Sequence, residues 1–397
     1  MQQALRLVPP TLDTGAHPEG NATCPDMRIA VIRQECSFSK GGAERYAANL
    51  CGALARAGHE VTVVAETFDP AIHPAIVHIP VKVNRSTSAN RTRSFHERSQ
   101  QAIAGLEADA VLALSRTFPA DAFRVSDPLH RYWMEIRYPG AIRRFIEKIN
   151  PRHRAILALE DGILDPANTR MIITNSALSR RLIGELYAYP AERIHVVYNG
   201  VDLETFSPIT KLSEVGTVRL LFVGQDFRRK GLAHLLEALS IAAAAGHKPS
   251  LRVIGRDDPK PYRALAETLG IADRVAFEGP SGKIQEAYRS ADLLVFPTLY
   301  DPFANVCLEA LACGLPVLTT STNGSSEIIG DGAEGYVVDG SANGLAARLA
   351  GKIGLFCGLP ENERAAMRIA ARKKAEGFTI AANADRVLEL LTGKGVA

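Results

Sequence analysis

The chain has 397 residues, of which 46% are hydrophobic and 22% charged, with a net charge of +3. That length exceeds one simple core and suits two domains of ordinary size, and so weak a charge gives no bulk electrostatic reason to expect a nucleic-acid partner, leaving room only for a local basic patch. No apolar run reaches the roughly 18 to 20 residues of a bilayer-crossing helix, so a soluble or peripheral protein is expected.

Residues 1–26, with four Pro, three Thr and two Gly and lacking the apolar segment of a signal peptide, are expected to be a disordered extension. From Arg28 the pattern becomes strand, glycine turn, helix, strand: "RIAVIR", "QECSFSKGGAER", "YAANLCGALARAGH", "EVTVVA". The strands are short and continuously apolar, as a parallel sheet covered on both faces requires. Further strands are expected at "AVLALS" (110–115), "MIITN" (171–175) and "IHVVYN" (194–199), closing a first domain at about 27–205. After a polar stretch containing Pro208, a second series follows: "VRLLFVG", "SLRVIG", "RVAFEG", "DLLVFPT", "PVLTT" and "GYVV". The expected fold class is α/β, with two doubly wound, Rossmann-like domains at 27–205 and 216–375 facing across a cleft. Residues 376–397 are expected to form a C-terminal helix returning to the N-terminal domain. Ligands of such folds lie at the carboxyl ends of the strands. The six cysteines (Cys24, Cys36, Cys51, Cys307, Cys313, Cys357) show no C-x-x-C spacing and read as buried thiols in a reducing cytoplasm.

Three stretches carry chemistry. In "SKGGAER", Gly41 and Gly42 follow a strand and open a helix, which lets the backbone approach an anion or sugar oxygens; a tight turn without a ligand is the plain alternative. In "FVGQDFRRKGLAHLLEAL" a strand ends at Gly224, and Arg228, Arg229 and Lys230 gather before a helix whose dipole disfavours them. A diphosphate relieves that conflict, and a solvated basic loop is the alternative. In "LYDPFANVCLEALACGLPVLTT", Asp301 precedes a helix expected from Asn305 to Cys313, and Glu309, eight residues after Asp301, lies near the middle of that helix, where burial requires a partner. A nucleoside diphosphate sugar suits these acids and cations together. The dinucleotide fingerprint G-x-G-x-x-G is absent, which disfavours an NAD-dependent oxidoreductase.

The tandem domains, the GG turn, the R-K-G loop and the acid pair together resemble the retaining glycosyltransferases of the GT-B fold whose signature is E-x(7)-E, over about residues 27–390. More narrowly, "SRTFPADAFRVSD" and "RYWMEIRYPGAIRRFIEKINPRHRAILALE" resemble the lipopolysaccharide-core α-glucosyltransferases acting on inner-core heptose. The resemblance implies that Glu309 binds donor ribose and that Arg229 and Lys230 stabilise the diphosphate leaving group. It implies further that Gly41, Gly42, Gly224, Asn305 and Val306 line the donor site, and that Asp121 lies near the acceptor hydroxyl. Asp301 stands where the family usually has Glu, and Ala304 where it usually has Gly, which bears on how the sugar is held.

The implied function is transfer of a hexose, glucose from UDP-glucose, with retention, onto the inner core of lipopolysaccharide. Other donors such as GDP-mannose or UDP-GlcNAc, other glycans, and a catalytically silent glycan-binding protein are the alternatives. No cofactor beyond the nucleotide-sugar co-substrate is implied, and no metal, since no D-x-D or clustered His and carboxylate ligands occur. The expected partners are the nucleotide sugar, a lipid-linked saccharide and an anionic membrane surface on the cytoplasmic side, with no nucleic acid. For the membrane, "IRRFIEKI" places Ile142, Phe145, Ile146 and Ile149 on one helical stripe beside Arg143, Arg144 and Lys148. An ordinary domain helix with a solvated charged face is the alternative reading of that stretch.

Overall fold

The computed structural model describes residues 27–38, 41–208 and 217–393. The expected extension 1–26 lies outside the described residues. The N-terminal domain is a seven-stranded parallel sheet in the spatial order Val77–Pro80, Glu60–Ala65, Arg28–Ile32, Ala110–Ala113, Ala120–Val125, Thr169–Thr174, Ile194–Val196. Val31, Ile32, Val63, Val64 and Leu112 are fully buried, because helices cover both faces of the sheet.

Two of these strands, Val77–Pro80 and Ala120–Val125, are absent from the sequence-based expectation. The second is interrupted by Asp121 and Arg124, which break the apolar run that marks an interior strand. Arg124 is nevertheless buried. Its guanidinium lies 4.2 Å from the Tyr46 ring centroid and donates through Nη2 to Asn199 Oδ1 at 2.6 Å and to the Val197 carbonyl at 3.2 Å.

The C-terminal domain is a six-stranded parallel sheet ordered Val275–Gly279, Ser250–Ile254, Arg219–Val223, Leu293–Phe296, Val317–Thr320, Gly335–Val338. Its core packs Leu232, Leu235, Leu236 and Leu239 of the helix Leu232–Ala244 against Leu220 and Phe222. The chain then returns. The helix Ile380–Leu391 lies on the helix Gly42–Arg56, with Val387 and Leu390 in one apolar cluster with Leu50 and Leu54. Polar bonds fix this crossing: the Val201 amide donates to the Phe378 carbonyl at 2.9 Å, and Asn383 bridges Tyr46 Oη (3.0 Å) and the Tyr198 carbonyl (2.6 Å).

Candidate active site

The carboxyl ends of the two sheets meet where two helices begin. The helix Gly42–Arg56 follows the first strand of the N-terminal domain, and the helix Asn305–Ala312 follows the strand Leu293–Phe296. Neither is capped by a side chain. Asn305 Nδ2 donates to the Gly42 carbonyl at 3.5 Å, and a Cβ on Gly42 would stand 3.1 Å from the same nitrogen. A side chain here would press on Asn305 and make it give by a few tenths of an ångström; Gly41 has φ −70°, an ordinary backbone angle. Two partial positive charges, one from each helix dipole, face the same gap.

The basic loop lies beside this gap. Gly224 ends its strand with its amide on the Ile254 carbonyl at 3.0 Å. Asp226 takes φ 58°, a left-handed angle that favours glycine, and its carboxylate pairs with Arg229 Nε at 3.0 Å. Gly231 also has positive φ, +76°, and a Cβ there would fall 2.0 Å from the Pro297 carbonyl oxygen, so this turn admits only glycine.

The sequence predicts three cations awaiting an anion. In the structure Arg228 is exposed, while Arg229 and Lys230 are already balanced. Arg229 Nη1 donates to the Tyr300 carbonyl at 2.9 Å and reaches Asp301 at 3.4 Å, and Lys230 Nζ contacts the same Asp301 oxygen. Asp301, 6% exposed, is therefore engaged by these cations and not free above the sheet. Burial pushes its pKa up, but Lys230, Arg229 and the Phe303 amide more than reverse this, so the carboxyl is held below its usual range. Lys230 is shifted down by burial, against the opposing pull of Asp301. Acid and bases thus offset one another's charge within the protein.

Glu309 lies on the helix Asn305–Ala312, its side chain 12% exposed, accepting from Tyr288 Oη at 2.8 Å and pairing with Arg45 Nη1 at 3.6 Å. Arg45 belongs to the N-terminal domain's glycine helix, so this pair crosses the cleft. Burial raises the Glu309 pKa, with Arg45 and Tyr288 opposing. Val306 and Asn305 are half-buried at the helix start. Ala304, by contrast, packs in the apolar core of its own domain, its amide on Asn323 Oδ1 at 3.2 Å.

Asp121 is a correction. It is the second residue of the strand Ala120–Val125 and accepts the Val111 amide at 2.8 Å, close to where the strand Ala110–Ala113 also begins. It stands at the amino ends of the strands, the edge opposite the cleft, beside Pro119, Asn168, Arg170 and Arg193. The acid at the correct edge is Asp127, just beyond the strand's carboxyl end. It pairs with Arg116 at 3.3 Å and lines a cavity of about 410 Å³ with Arg33, Glu44, Arg91 and Ser115. Recognising the strand would have found it, since six residues separate the two acids and the strand carries the chain from one edge to the other.

The helix Ala141–Ile149 buries none of its residues. Ile142, Phe145, Ile146 and Ile149 are 80%, 67%, 60% and 57% exposed, with Arg143 and Lys148 also exposed and Arg144 half-buried. Among the described residues, no helix is long and apolar enough to cross a membrane, and no group of three or more His, Cys, Asp or Glu side chains is placed to hold a metal ion.

Residues 210–374 match the family "Glycosyl transferases group 1", and residues 40–205 match "Glycosyltransferase Family 4". The chain is 27% identical over 315 residues to lipopolysaccharide glucosyltransferase WaaG of Escherichia coli K12, covering 76% of this chain and 82% of that one. It is 32% identical over 256 residues to a D-inositol 3-phosphate glycosyltransferase of Thermomonospora curvata, covering 57% and 58%. Among solved structures, WaaG, a glycosyltransferase involved in lipopolysaccharide biosynthesis, shares the fold with a TM-score of 0.77 at 23% identity, over 92% of this chain and 100% of that one. Anabaena HepE in complex with UDP-glucose shares it with a TM-score of 0.66 at 17% identity, over 92% and 100%.

Proposed function

The chain belongs to the group 1 glycosyl transferases of the GT-B fold, and on that premise we propose that it moves glucose from UDP-glucose, with retention, onto the inner-core saccharide of a lipopolysaccharide. The observation that carries the reading is the convergence of two uncapped helix N-termini with Arg229, Lys230 and Asp301. As the bond from the anomeric carbon to the phosphate oxygen breaks, negative charge grows on the diphosphate. Arg229, Lys230 and the helix amides offset it there. The incoming phosphates take Lys230 from Asp301, leaving that carboxylate to accept a sugar hydroxyl. Glu309 takes the ribose hydroxyls, and the acceptor enters from the cavity of Asp127 and Arg116. Its hydroxyl attacks from the leaving-group face, and its proton passes to the departing phosphate oxygen.

The relative of known lipopolysaccharide activity and the exposed apolar helix favour a lipid-borne acceptor. The D-inositol 3-phosphate glycosyltransferases favour a second reading, a small phosphorylated acceptor in the same cavity, where Arg33, Arg91 and Arg116 supply guanidinium groups. The deciding experiment measures nucleotide release from UDP-glucose, UDP-GlcNAc and GDP-mannose, each alone, with a heptose-containing glycolipid, and with inositol 3-phosphate. Release from UDP-glucose accelerated by the glycolipid supports the first reading; no release from any donor refutes transferase activity.

Glu309 gives a pH prediction. Because its pKa is raised by burial, UDP affinity is expected to fall in acid from a higher pH than an ordinary glutamate would cause, and Arg45→Ala should move that loss higher still. The stability effect has the opposite sign: a raised folded pKa contributes stability in acid that is lost as pH rises through it. Weakened binding in acid is therefore not unfolding driven by this residue. Calorimetric titration with UDP across the acid range checks this, and identical profiles for parent and variant would remove Glu309 from the ribose site.

A further inference from the structure

Two contacts between the domains converge on the loop that carries Asp301. Tyr300, fully buried, leaves its own domain and sits in the core of the other, in one cluster with Phe123, Val125, Leu129, Leu178 and Leu182. Its hydroxyl accepts the Leu129 amide at 3.3 Å, and Tyr132 packs edge-on against its ring with centroids 4.8 Å apart. The carbonyl of the same residue accepts from Arg229 Nη1 at 2.9 Å and from Thr298 Oγ1 at 3.1 Å. One residue thus grips the N-terminal domain with its ring and a proposed leaving-group cation with its backbone.

The second contact is Glu327, in the short helix Gly324–Ile328 of the C-terminal domain. Its carboxylate accepts the Ala177 and Leu178 amides at 2.8 and 2.7 Å, at the start of the N-terminal domain's helix Ala177–Leu186, and the Tyr198 hydroxyl at 3.0 Å. A carboxylate at that position complements the helix dipole. The chain leaves no room for a looser fit: a Cβ on Gly324 would fall 2.5 Å from Ser176 Cβ and 1.8 Å from the Pro302 carbonyl oxygen. Backbone bonds tie both contacts to Asp301, whose amide donates to the Thr322 carbonyl at 3.1 Å and whose carbonyl accepts the Gly324 amide at 2.9 Å.

We propose that Tyr300 and Glu327 form a two-point interdomain clasp that positions Asp301 and Arg229 for transfer, so that the sugar-binding side of the site is complete only while the domains are docked. This rests on the reading of Asp301 and Arg229 as donor contacts. Separation of the domains would remove the ring of Tyr300 from its cluster and both amides from Glu327, and the loop between the two grips would lose its reference points together. Both are positioning residues, acting through Asp301 and Arg229.

The test uses the full chain with Tyr300→Phe, which deletes one hydroxyl, and Glu327→Gln, which keeps the side-chain shape. Hydrogen exchange is read at the Leu129, Ala177 and Leu178 amides and at the Phe303 amide, which donates to Asp301 Oδ1 at 3.2 Å. Each variant is expected to speed exchange at Phe303 as well as at its own partner, and to lower kcat with UDP-glucose about tenfold while the donor KM stays within about twofold. A change confined to the partner amide, or a raised KM at unchanged kcat, overturns the clasp. If the parent releases no UDP from UDP-glucose, the donor reading has failed, and exchange at Phe303 alone decides: faster in both variants supports the clasp, unchanged in either overturns it.

Discussion

Replacing Lys230 or Arg229 with alanine is expected to lower turnover by about two orders of magnitude or more, the usual cost of removing a main transition-state charge. The two substitutions should differ in what else they disturb. Lys230 is half-buried, its Nζ 4.8 Å from the Phe296 ring centroid and in contact with Asp301. Lys230→Ala leaves the buried Asp301 with only Arg229 at 3.4 Å and the Phe303 amide at 3.2 Å. Stranding a buried partner in this way destabilises by roughly 3 to 5 kcal/mol, so lost turnover must be separated from lost folding. Lys230→Met with Asp301→Asn makes the separation: removing both charges should recover most of the melting temperature without recovering turnover. The acid's sign agrees. Asp301 has a depressed pKa, so its contribution to stability is present above the unfolded value and fades only as pH falls through the folded one. The defect of Lys230→Ala should therefore be evident at neutral pH. Thermal melts and initial rates of UDP release on the same preparations check both halves, and a folded variant with parental turnover would refute the leaving-group role.

Arg229→Ala carries an additional consequence. Its guanidinium serves Asp226, the Tyr300 carbonyl and Asp301 together, so its loss also frees the Tyr300 loop from the basic turn. A lysine there supplies the charge but no planar fork. Arg229→Lys is accordingly expected to recover only part of the rate.

What could be read from sequence follows from how each signal arises. Strands such as Arg28–Ile32 and Leu293–Phe296 announce themselves because a parallel sheet covered on both faces demands unbroken apolar runs. Ala120–Val125 satisfies the same burial with a guanidinium stacked on Tyr46, a contact made across the fold that no local pattern reveals. Asp121 was assigned from the resemblance, and with the strand unrecognised nothing local showed that Asp121 and Asp127 stand at its opposite ends. The Asp301 and Lys230 pair was hidden for a related reason, since 71 positions separate the partners and each was read only against its own helix. Gly42 was legible as a point of close approach, but its neighbour Asn305 belongs to the other domain. For the segment 142–149 the period of the stripe was plain, yet an apolar stripe has the same period whether it meets a core or leaves the protein.

The exposure of that stripe sets the second large prediction. From charge alone, Arg143, Arg144 and Lys148 predict weak adsorption to anionic vesicles, worth about 1 kcal/mol per basic residue and abolished by salt. The helix Ala141–Ile149 adds four large apolar side chains with no protein over them, so part of the binding is expected to survive high salt. Full burial of one such side chain contributes roughly 1.5 to 3 kcal/mol. Phe145→Ser with Ile146→Ser should therefore weaken adsorption to phosphatidylglycerol vesicles by about a hundredfold or more. Arg143→Glu with Arg144→Glu should weaken it by at least about thirtyfold at low salt and very little at high salt. None of these four residues lines the cavity of Asp127 and Arg116, and Arg229, Asp301 and Glu309 sit on the other domain, so turnover on a soluble acceptor analogue should be retained. Vesicle sedimentation of the parent and both double variants at two salt concentrations gives the six measurements. Equal binding of the parent and the serine variant at high salt would show that this apolar face meets something other than lipid, and the charges would then belong to a solvated surface.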